Sequence, residues 1–485
     1  MRVTLIQSPG LRRLEIYQSI GVRAPPLGLA SIAAFIEREG HKPRIIDAAT
    51  LEMTVEDTVR EALSTSPDVV GISAVTPTVN AAYQIAGMIK EHDPDIPIVI
   101  GGPHASFMYR EALSNSVDYV AIGEGEETFS ELLVHLEKKH GEPSEVRGLA
   151  YRNSLGEVKL TPPRPLIANL DELPPPARHL LPMDRYTLFD KPIKIIHIMA
   201  SRGCPYGCIY CTTSYFWGRR YRVRSVENVL NELEEATEKY GTRIVVFSDD
   251  ELTLNKKWVK ELAQGIIERG LDISFTCGSR VSSIDPNMLK LLAKAGCTTI
   301  YYGVESYKQE DIEKIGKKIT IDQVFKAVRW THEAGMEAAG SFILGFPWQT
   351  IDDMKLTIEF AKKLNVDYAQ FTVATPYPGT PLYHQAVKDN LIEVWDWDYY
   401  TTIHPVMRGY HFTRSQLARI ISQAYRSFYM RPRFLLKQIK RKRLKTILQI
   451  TTRIIKRYLE SRYEKEERYK PRKIEPSKKI LKTKI

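Results

Sequence analysis

Cysteine is scarce in this chain, with five among 485 residues. So few argue against a small scaffold stapled by disulfides, which relies on many paired cysteines. Long apolar runs are missing as well. No stretch reaches the roughly 18–20 residues that a bilayer-spanning helix needs. The first residues, MRVTLIQSPGL, read as a strand, and no apolar segment with a cleavage site follows them. The expectation is a cytoplasmic protein of the reducing interior. Negative charge is short in one region only. Residues 431–485 hold 21 Lys and Arg against 5 Glu, a net +16, so the first 430 carry about −5 of the total +11. The basic character belongs to the tail and not to the body. At 485 residues and 43% hydrophobic content, the chain has material for two or three domains with cores of their own.

Three of the five cysteines stand in one run, Cys204-Pro-Tyr-Gly-Cys208-Ile-Tyr-Cys211. Thiolates at Cx3CxxC spacing can hold three corners of a cubic iron–sulfur cluster, because a short loop wraps one of its faces. The fourth iron is then left without a protein ligand, and an open metal position can bind a substrate or cosubstrate. A structural zinc would call for a fourth Cys or His, and none follows in the next fifty residues. Zinc and a chance grouping remain the alternatives.

Residues 1–150 alternate apolar strands, expected at 3–6, 44–47, 68–73, 96–100 and 119–122, with amphipathic helices near 27–37 and 80–91. That pattern implies a parallel, doubly wound sheet covered on both faces. Ligands of such sheets sit at the C-terminal strand ends. Residues 151–190, with Pro174-Pro175-Pro176, are too rich in proline for a helix and read as a connector. Residues 191–385 alternate again, with six strands expected at 195–200, 244–248, 273–277, 299–303, 339–344 and 369–374. Six strand–helix units suggest a partial parallel barrel with its site at the C-terminal strand ends. A helical extension at 386–430 and the basic tail at 431–485 complete an α/β chain. From 434 to 459 the tail interleaves Lys and Arg with apolar residues such as Leu435, Leu436, Ile439 and Ile447, an amphipathic helical pattern. Three roles stay open for it: lying on an anionic membrane surface, packing on the barrel with its cations outward, or gripping an RNA backbone.

Cx3CxxC with an aromatic, Tyr210, before its last cysteine resembles the signature of the radical S-adenosylmethionine (SAM) superfamily, over roughly residues 190–385. The N-terminal part is similar to a cobalamin-binding domain, in which Ser-x-Leu follows one strand and Gly-Gly the next. Ser73-Ala74-Val75 and Gly101-Gly102 occupy those places here. One departure is the missing Asp-x-His-x-x-Gly element that supplies a histidine to cobalt; Gln7-Ser8-Pro9-Gly10-Leu11-Arg12 stands in its place. Radical SAM relatives with this domain commonly lack it too. The resemblance implies a Rossmann-like cobalamin-binding domain followed by a partial (β/α)6 radical SAM barrel. It implies a 4Fe-4S cluster on Cys204, Cys208 and Cys211, SAM on the open iron, and cobalamin near Ser73, Gly101 and Gly102. His104, after the Gly-Gly turn, is either close to the corrin or an ordinary loop histidine.

Further positions follow from the same resemblance. Asp249 and Asp250 end the second barrel strand and are expected near the methionine part of SAM, or else cap the next helix. Glu305 ends the fourth strand and is expected at the ribose or amino acid of SAM, or else starts a helix. The segment Ser341-Phe342-Ile343-Leu344-Gly345 resembles Gly-x-Ile-x-Gly, whose backbone pairs with adenine, so Ile343 and Gly345 are expected there. Thr375-Pro376-Tyr377-Pro378-Gly379-Thr380-Pro381 resembles a Pro-Gly-Thr-Pro element of the group. Gly207 is expected to take a positive φ inside the cysteine loop. Arg219, Arg220, Arg222 and Arg224 either meet cofactor carboxylates and phosphates or form a solvated basic face. Cys277 and Cys297 read as buried structural cysteines, with hydrogen donation as the alternative.

The chemistry implied by the resemblance uses one electron from the cluster to cleave SAM. The resulting 5′-deoxyadenosyl radical abstracts hydrogen from an unactivated carbon. Cobalamin-dependent methylation is the leading expectation. Ring closure, carbon–carbon coupling, oxidation and RNA modification are the enzymatic alternatives, and an iron–sulfur sensor that binds cobalamin is the non-enzymatic one. The tail makes a hydrophobic or membrane-lipid small molecule the expected substrate. Expected partners are an electron donor such as flavodoxin or ferredoxin and, through the tail, the inner face of the membrane. Nucleic acid is the weaker expectation.

Overall fold

Two mainly parallel sheets organise the chain in a computed structural model that describes residues 1–10, 23–138, 141–186, 194–440 and 452. In the first sheet β1 (Arg2–Gln7), β2 (Lys42–Asp47), β3 (Val69–Ser73), β4 (Ile98–Gly101) and β5 (Tyr119–Ala121) run parallel in the order 2-1-3-4-5. Val3, Ile6, Val69, Val70, Ile98 and Ile100 are buried on both sides of it, as helices on both faces require. The strand order reverses between β1 and β3, so the crevice beyond Gln7 and Ser73 is the topological switch point where ligands bind. Two strands missing from the sequence reading, β6 (Leu149–Arg152) and β7 (Val158–Leu160), extend this sheet antiparallel to β5. Asn153 closes their hairpin, its side-chain oxygen accepting from Leu155 N at 3.1 Å and Glu157 N at 2.8 Å. The sheet therefore runs on past residue 150, into the segment that reads as a connector.

The second sheet contains all six expected strands. β8 (Ile196–Ile198) is followed by β9 (Ser201–Arg202) and β10 (Arg222–Val223), an antiparallel pair flanking the cysteine loop. Then come β11 (Ile244–Phe247), β12 (Ser274–Ser279), β13 (Cys297–Glu305), β14 (Glu337–Leu344) and β15 (Tyr368–Val373), parallel to β8 and in sequence order. This is a partial barrel. In β12, Phe275, Cys277 and Ser279 are buried while Thr276 and Gly278 are half-buried, the alternation of a strand with one face on the core. Cys277 and Cys297 are both buried in the core that packs the barrel on its helices, and Cys297 Sγ donates to Thr299 O at 3.8 Å. The open edge of β15 is covered by the helix Arg414–Tyr429. Tyr425 Oη donates to Phe371 O and accepts from Phe371 N, at 3.1 and 3.2 Å. Tyr429 does the same at Ala369, at 2.9 and 3.1 Å. Two phenols stand in for a neighbouring strand and protect the edge.

The extension expected to be helical over 386–430 is helical over Arg414–Tyr429 and at its first residues, where Pro381–Lys388 ends. Between them the chain forms a strap with a bridge from Ile392 to Met407. Trp397, Tyr400 and Val406 are buried there in one core with Ile85 and Ile100 of the first sheet's domain. Large apolar surface on both domains wins over helix propensity in that stretch. The tail begins with the helix Pro432–Lys440, which buries Phe434 and Gln438 and places Lys437 Nζ 2.5 Å from Asp367. Leu436 and Ile439 are more than half exposed. The remainder of the expected amphipathic helix lies outside the described residues, apart from Thr452. Among the described residues no helix is long and apolar enough to cross a membrane.

Candidate active site

β8 delivers the chain to residues 204–211 at the C-terminal end of the barrel. Gly207 has φ +52°, as the turn requires. Cys208 is buried and Cys204 and Cys211 are half-buried. Burial raises the Cys204 thiol to about 11 and shifts Cys211 upward as well. A bound cation is what turns such thiols into thiolates near neutral pH. Among the described residues no three His, Cys, Asp or Glu converge on a single ion. Zinc needs that convergence, whereas a cubic cluster takes each thiolate at a separate corner. The donor set fits a 4Fe-4S cluster.

The carboxylates after β11 brace this loop. Asp249 is buried and accepts from Ala200 N at 3.3 Å and from Ser201 N and Oγ at 2.5 Å. Burial raises it to about 7. Three of its hydrogen bonds thus go to the loop's entry strand, two of them on Oδ1. Asp250 is exposed and accepts from Thr213 Oγ1, two residues beyond Cys211, at 2.9 Å. It remains open to a ligand. Neither residue caps the following helix, Lys256–Glu268, which is capped by Asn255.

Glu305 ends β13 at φ +71°, where the register with β14 shifts. A non-glycine residue held there carries strain of about 1–3 kcal/mol. Its Oε1 accepts from Tyr210 Oη at 2.9 Å and from Lys317 Nζ at 2.5 Å. Its Oε2 is buried without a partner among the described residues. Lys317, absent from the sequence reading, is 7% exposed and close enough to Cys208 to feel its charge. Gly303 makes the space for it, since a Cβ there would stand 2.6 Å from Glu305 Oε1. A carboxylate with a spare buried oxygen, paired to an ammonium beside the cysteine loop, suits the amino acid part of SAM. Glu305 therefore acts neither as a helix start nor as a cap. Ile343 is buried in the next strand; the Gly345 N–H is taken by Gln349 Oε1 at 2.9 Å, and Gly345 has φ +89°. Leu382 N, after the Pro-Gly-Thr-Pro turn, donates to Ile209 O at 3.0 Å, so that turn packs on the cysteine loop.

An apolar cavity of about 250 Å³ opens at the strand ends of the first sheet. Ser73, Gly101 and Gly102 line it, with Gly71 and Phe129 deeper in and Arg202, Phe216 and Trp217 closing it from the barrel side. Gly102 sits at φ +101°, and a Cβ there would lie 2.7 Å from Ala74 O. The apolar walls and close backbone fit the nucleotide part of cobalamin. His104 is not among the lining residues. It is buried, within 3.1 Å of Thr76 Oγ1 and 3.4 Å of Glu111 Oε1, with Trp397 of the strap edge-on at 4.9 Å. Both ring nitrogens are engaged by protein.

Arg202, leading into the cysteine loop, donates to Glu124 at 2.7 Å and Glu126 at 2.6 Å on the far wall of that cavity. Arg222 joins Glu124 at 2.8 Å, and Arg224 pairs with Glu232. Arg222 and Arg224 are thus consumed in buried pairs, while Arg219 and Arg220 are exposed. Arg178, which also meets Glu232, donates to His197 O at 2.8 Å. Glu124, Glu126, Glu232 and Lys317 were beyond sequence reasoning, because nothing in a surface-like Glu or Lys marks it as buried.

The radical SAM superfamily matches residues 198–361 and the B12 binding domain residues 16–133. An uncharacterized methyltransferase of Pyrococcus horikoshii is 42% identical over 90% of this chain and 95% of its own length. An anaerobic magnesium-protoporphyrin IX monomethyl ester cyclase of Rubrivivax gelatinosus is 30% identical over 85% of this chain and 75% of its own. Among solved structures, the cobalamin-dependent SAM radical enzyme OxsB, with aqua-cobalamin and SAM bound, shares the fold at a TM-score of 0.72 and 19% identity, covering 93% of this chain and 71% of its own. With the cysteine loop, the cavity at the strand ends and these matches together, the chain belongs to the cobalamin-dependent radical SAM family, whose cofactors are a 4Fe-4S cluster, SAM and cobalamin.

Proposed function

We propose that this enzyme methylates an unactivated carbon of a hydrophobic small molecule, a lipid in the first place. Cys204, Cys208 and Cys211 hold the cluster. Glu305, Lys317 and Tyr210 hold SAM, with Asp250 and the Ile343 strand beside them. Ser73, Gly101 and Gly102 hold cobalamin. When bound, these groups supply the radical and the methyl group. The chain's own part is to orient them and to keep water out. Tyr210 and Lys317 fix the Glu305 carboxylate, and Asp249 and Asp250 fix both ends of the cysteine loop.

The observation that carries the reading is the Arg202 bridge. One buried side chain joins the cavity wall to the cysteine loop, which supports a methyl source held beside a radical source. The lipid substrate rests on the tail. Leu436 and Ile439, 59% and 53% exposed, stand with exposed Arg433 on a helix that continues into a strongly basic sequence. Such a face favours peripheral contact with an anionic membrane. A second reading, ring closure, is favoured by the similarity to the cyclase of Rubrivivax gelatinosus.

The test is anaerobic reconstitution with iron, sulfide and cobalamin, followed by SAM, reductant and a lipid extract. Lipid-dependent 5′-deoxyadenosine matched by S-adenosylhomocysteine in the mass spectrum is the expected result. 5′-Deoxyadenosine alone would favour ring closure or coupling, and neither product would reject the lipid substrate.

A further inference from the structure

The cysteine loop has a buried side, where Tyr210, Glu305 and Lys317 meet, and an outward one. On the outward side the guanidinium of Arg219 lies over Gly207, so that a Cβ at 207 would stand 2.8 Å from Arg219 Cζ. Arg219 also stacks on the Tyr215 ring at 5.2 Å, and Tyr215 Oη donates to Gly207 O at 3.3 Å. A second turn reaches the same glycine. Gly316, whose Cβ position is 3.5 Å from Gly207 O, sits in Lys314-Ile315-Gly316-Lys317-Lys318. Arg219, Arg220, Lys314 and Lys318 are all exposed. None of the four pairs with a carboxylate among the described residues. Glu313, the acidic neighbour, accepts instead from Gln309 Nε2 at 3.3 Å. Lys314 is held 5.7 Å from the Trp348 ring. Two loops thus bring unpaired cations to the point where glycine backbone covers the cysteine loop, on a body of net charge −5.

We propose that this patch docks an acidic one-electron donor protein of the flavodoxin or ferredoxin type. The proposal rests on the cluster reading above. Electron tunnelling falls steeply with distance, so a donor must approach where the cover is thin, and the side towards Glu305 is buried and is the one the reading above gives to SAM. An isolated basic patch on an otherwise acidic body steers an acidic partner to one place and sets its orientation. The step is a single electron transfer. The donor's reduced flavin or iron–sulfur centre loses one electron, the cluster gains it, and no bond is made or broken.

The experiment compares two reductants on the reconstituted holoenzyme and its R219E/K314E/K318E variant. Cluster reduction is followed anaerobically by bleaching of the visible band and by electron paramagnetic resonance. With reduced flavodoxin, the variant should be slower by about tenfold or more, and the wild-type rate should fall as salt rises while the variant's stays flat. With dithionite, a small anion that needs no docking surface, reduction and SAM cleavage should match the wild type. Unchanged reduction by flavodoxin would overturn the proposal. So would an equal loss with both reductants, which would make the patch structural. Failure of the wild type to load a 4Fe-4S cluster would instead reject the reading beneath it.

Discussion

Arg202 and Glu126 meet at 2.6 Å between the barrel and the first sheet's domain, with side chains 9% and 5% exposed. Removing one partner of a buried pair leaves a charge without compensation, at a cost of about 3–5 kcal/mol. Arg202→Met should lower stability by that order in chemical denaturation and weaken retention of cobalamin on gel filtration. Adding Glu126→Gln should recover part of the loss, because the stranded charge goes with it, whereas Glu124 keeps Arg222 as its partner. A double variant no more stable than Arg202→Met would mean that packing on Trp217, 5.5 Å from the guanidinium, matters more than charge.

Glu305 should separate SAM binding from cluster assembly. Glu305→Gln removes the counter-charge of Lys317 and the carboxylate offered to SAM. We expect SAM affinity by calorimetry to fall about tenfold or more, as loss of a charged hydrogen bond implies. Iron and sulfide content should stay at the wild-type level. Tyr210→Phe removes one neutral donor and should cost about 1 kcal/mol in the same titration. Equal effects from the two variants would count against Glu305 as the SAM contact.

Gly102→Ala puts a methyl group against Ala74 O in a backbone conformation that L-residues avoid. Destabilisation of at least about 1 kcal/mol is expected. Cobalamin binding, followed by its visible spectrum, should fall while the cluster still assembles. The reverse assignment applies to Cys208→Ser, which should lose the cluster and keep the cobalamin.

Two buried groups should give opposite pH slopes. Burial lowers His197 from 6.5 to about 4. The unfolded chain then binds a proton that the folded one does not, so stability falls as pH drops from about 6.5 to 4. Asp249, raised to about 7, binds a proton in the folded state between about 4 and 7, so its contribution falls as pH rises through that window. His197→Gln should reduce the loss of Tm between pH 6.5 and 5, and Asp249→Asn should enlarge it. Identical Tm profiles for both variants and the wild type would reject these assignments.

The sequence by itself determined the parallel strands of the two sheets, though not β6 and β7, and its resemblance to a family gave the cofactor set. Alternating apolar strands and amphipathic helices are local patterns, and Cys204, Cys208 and Cys211 are bound to one loop by covalent spacing. That Ser73 and Gly101 end strands was legible for the same reason, while their assignment to cobalamin, with Gly102, came from the resemblance. Only the tertiary structure decided the rest. It committed His104 to Glu111 and Trp397, turned Asp249 onto Ala200 and Ser201, and drew 389–413 into a strap instead of a helix. It also chose Lys317 over Lys314 and Lys318 as the buried cation beside Glu305. The physical reason is common to all four. Whether a polar side chain faces a ligand, a partner or solvent depends on which distant segment covers it. Glu111 and Trp397, or Lys317 and Tyr210, meet only after two separately folded layers have packed.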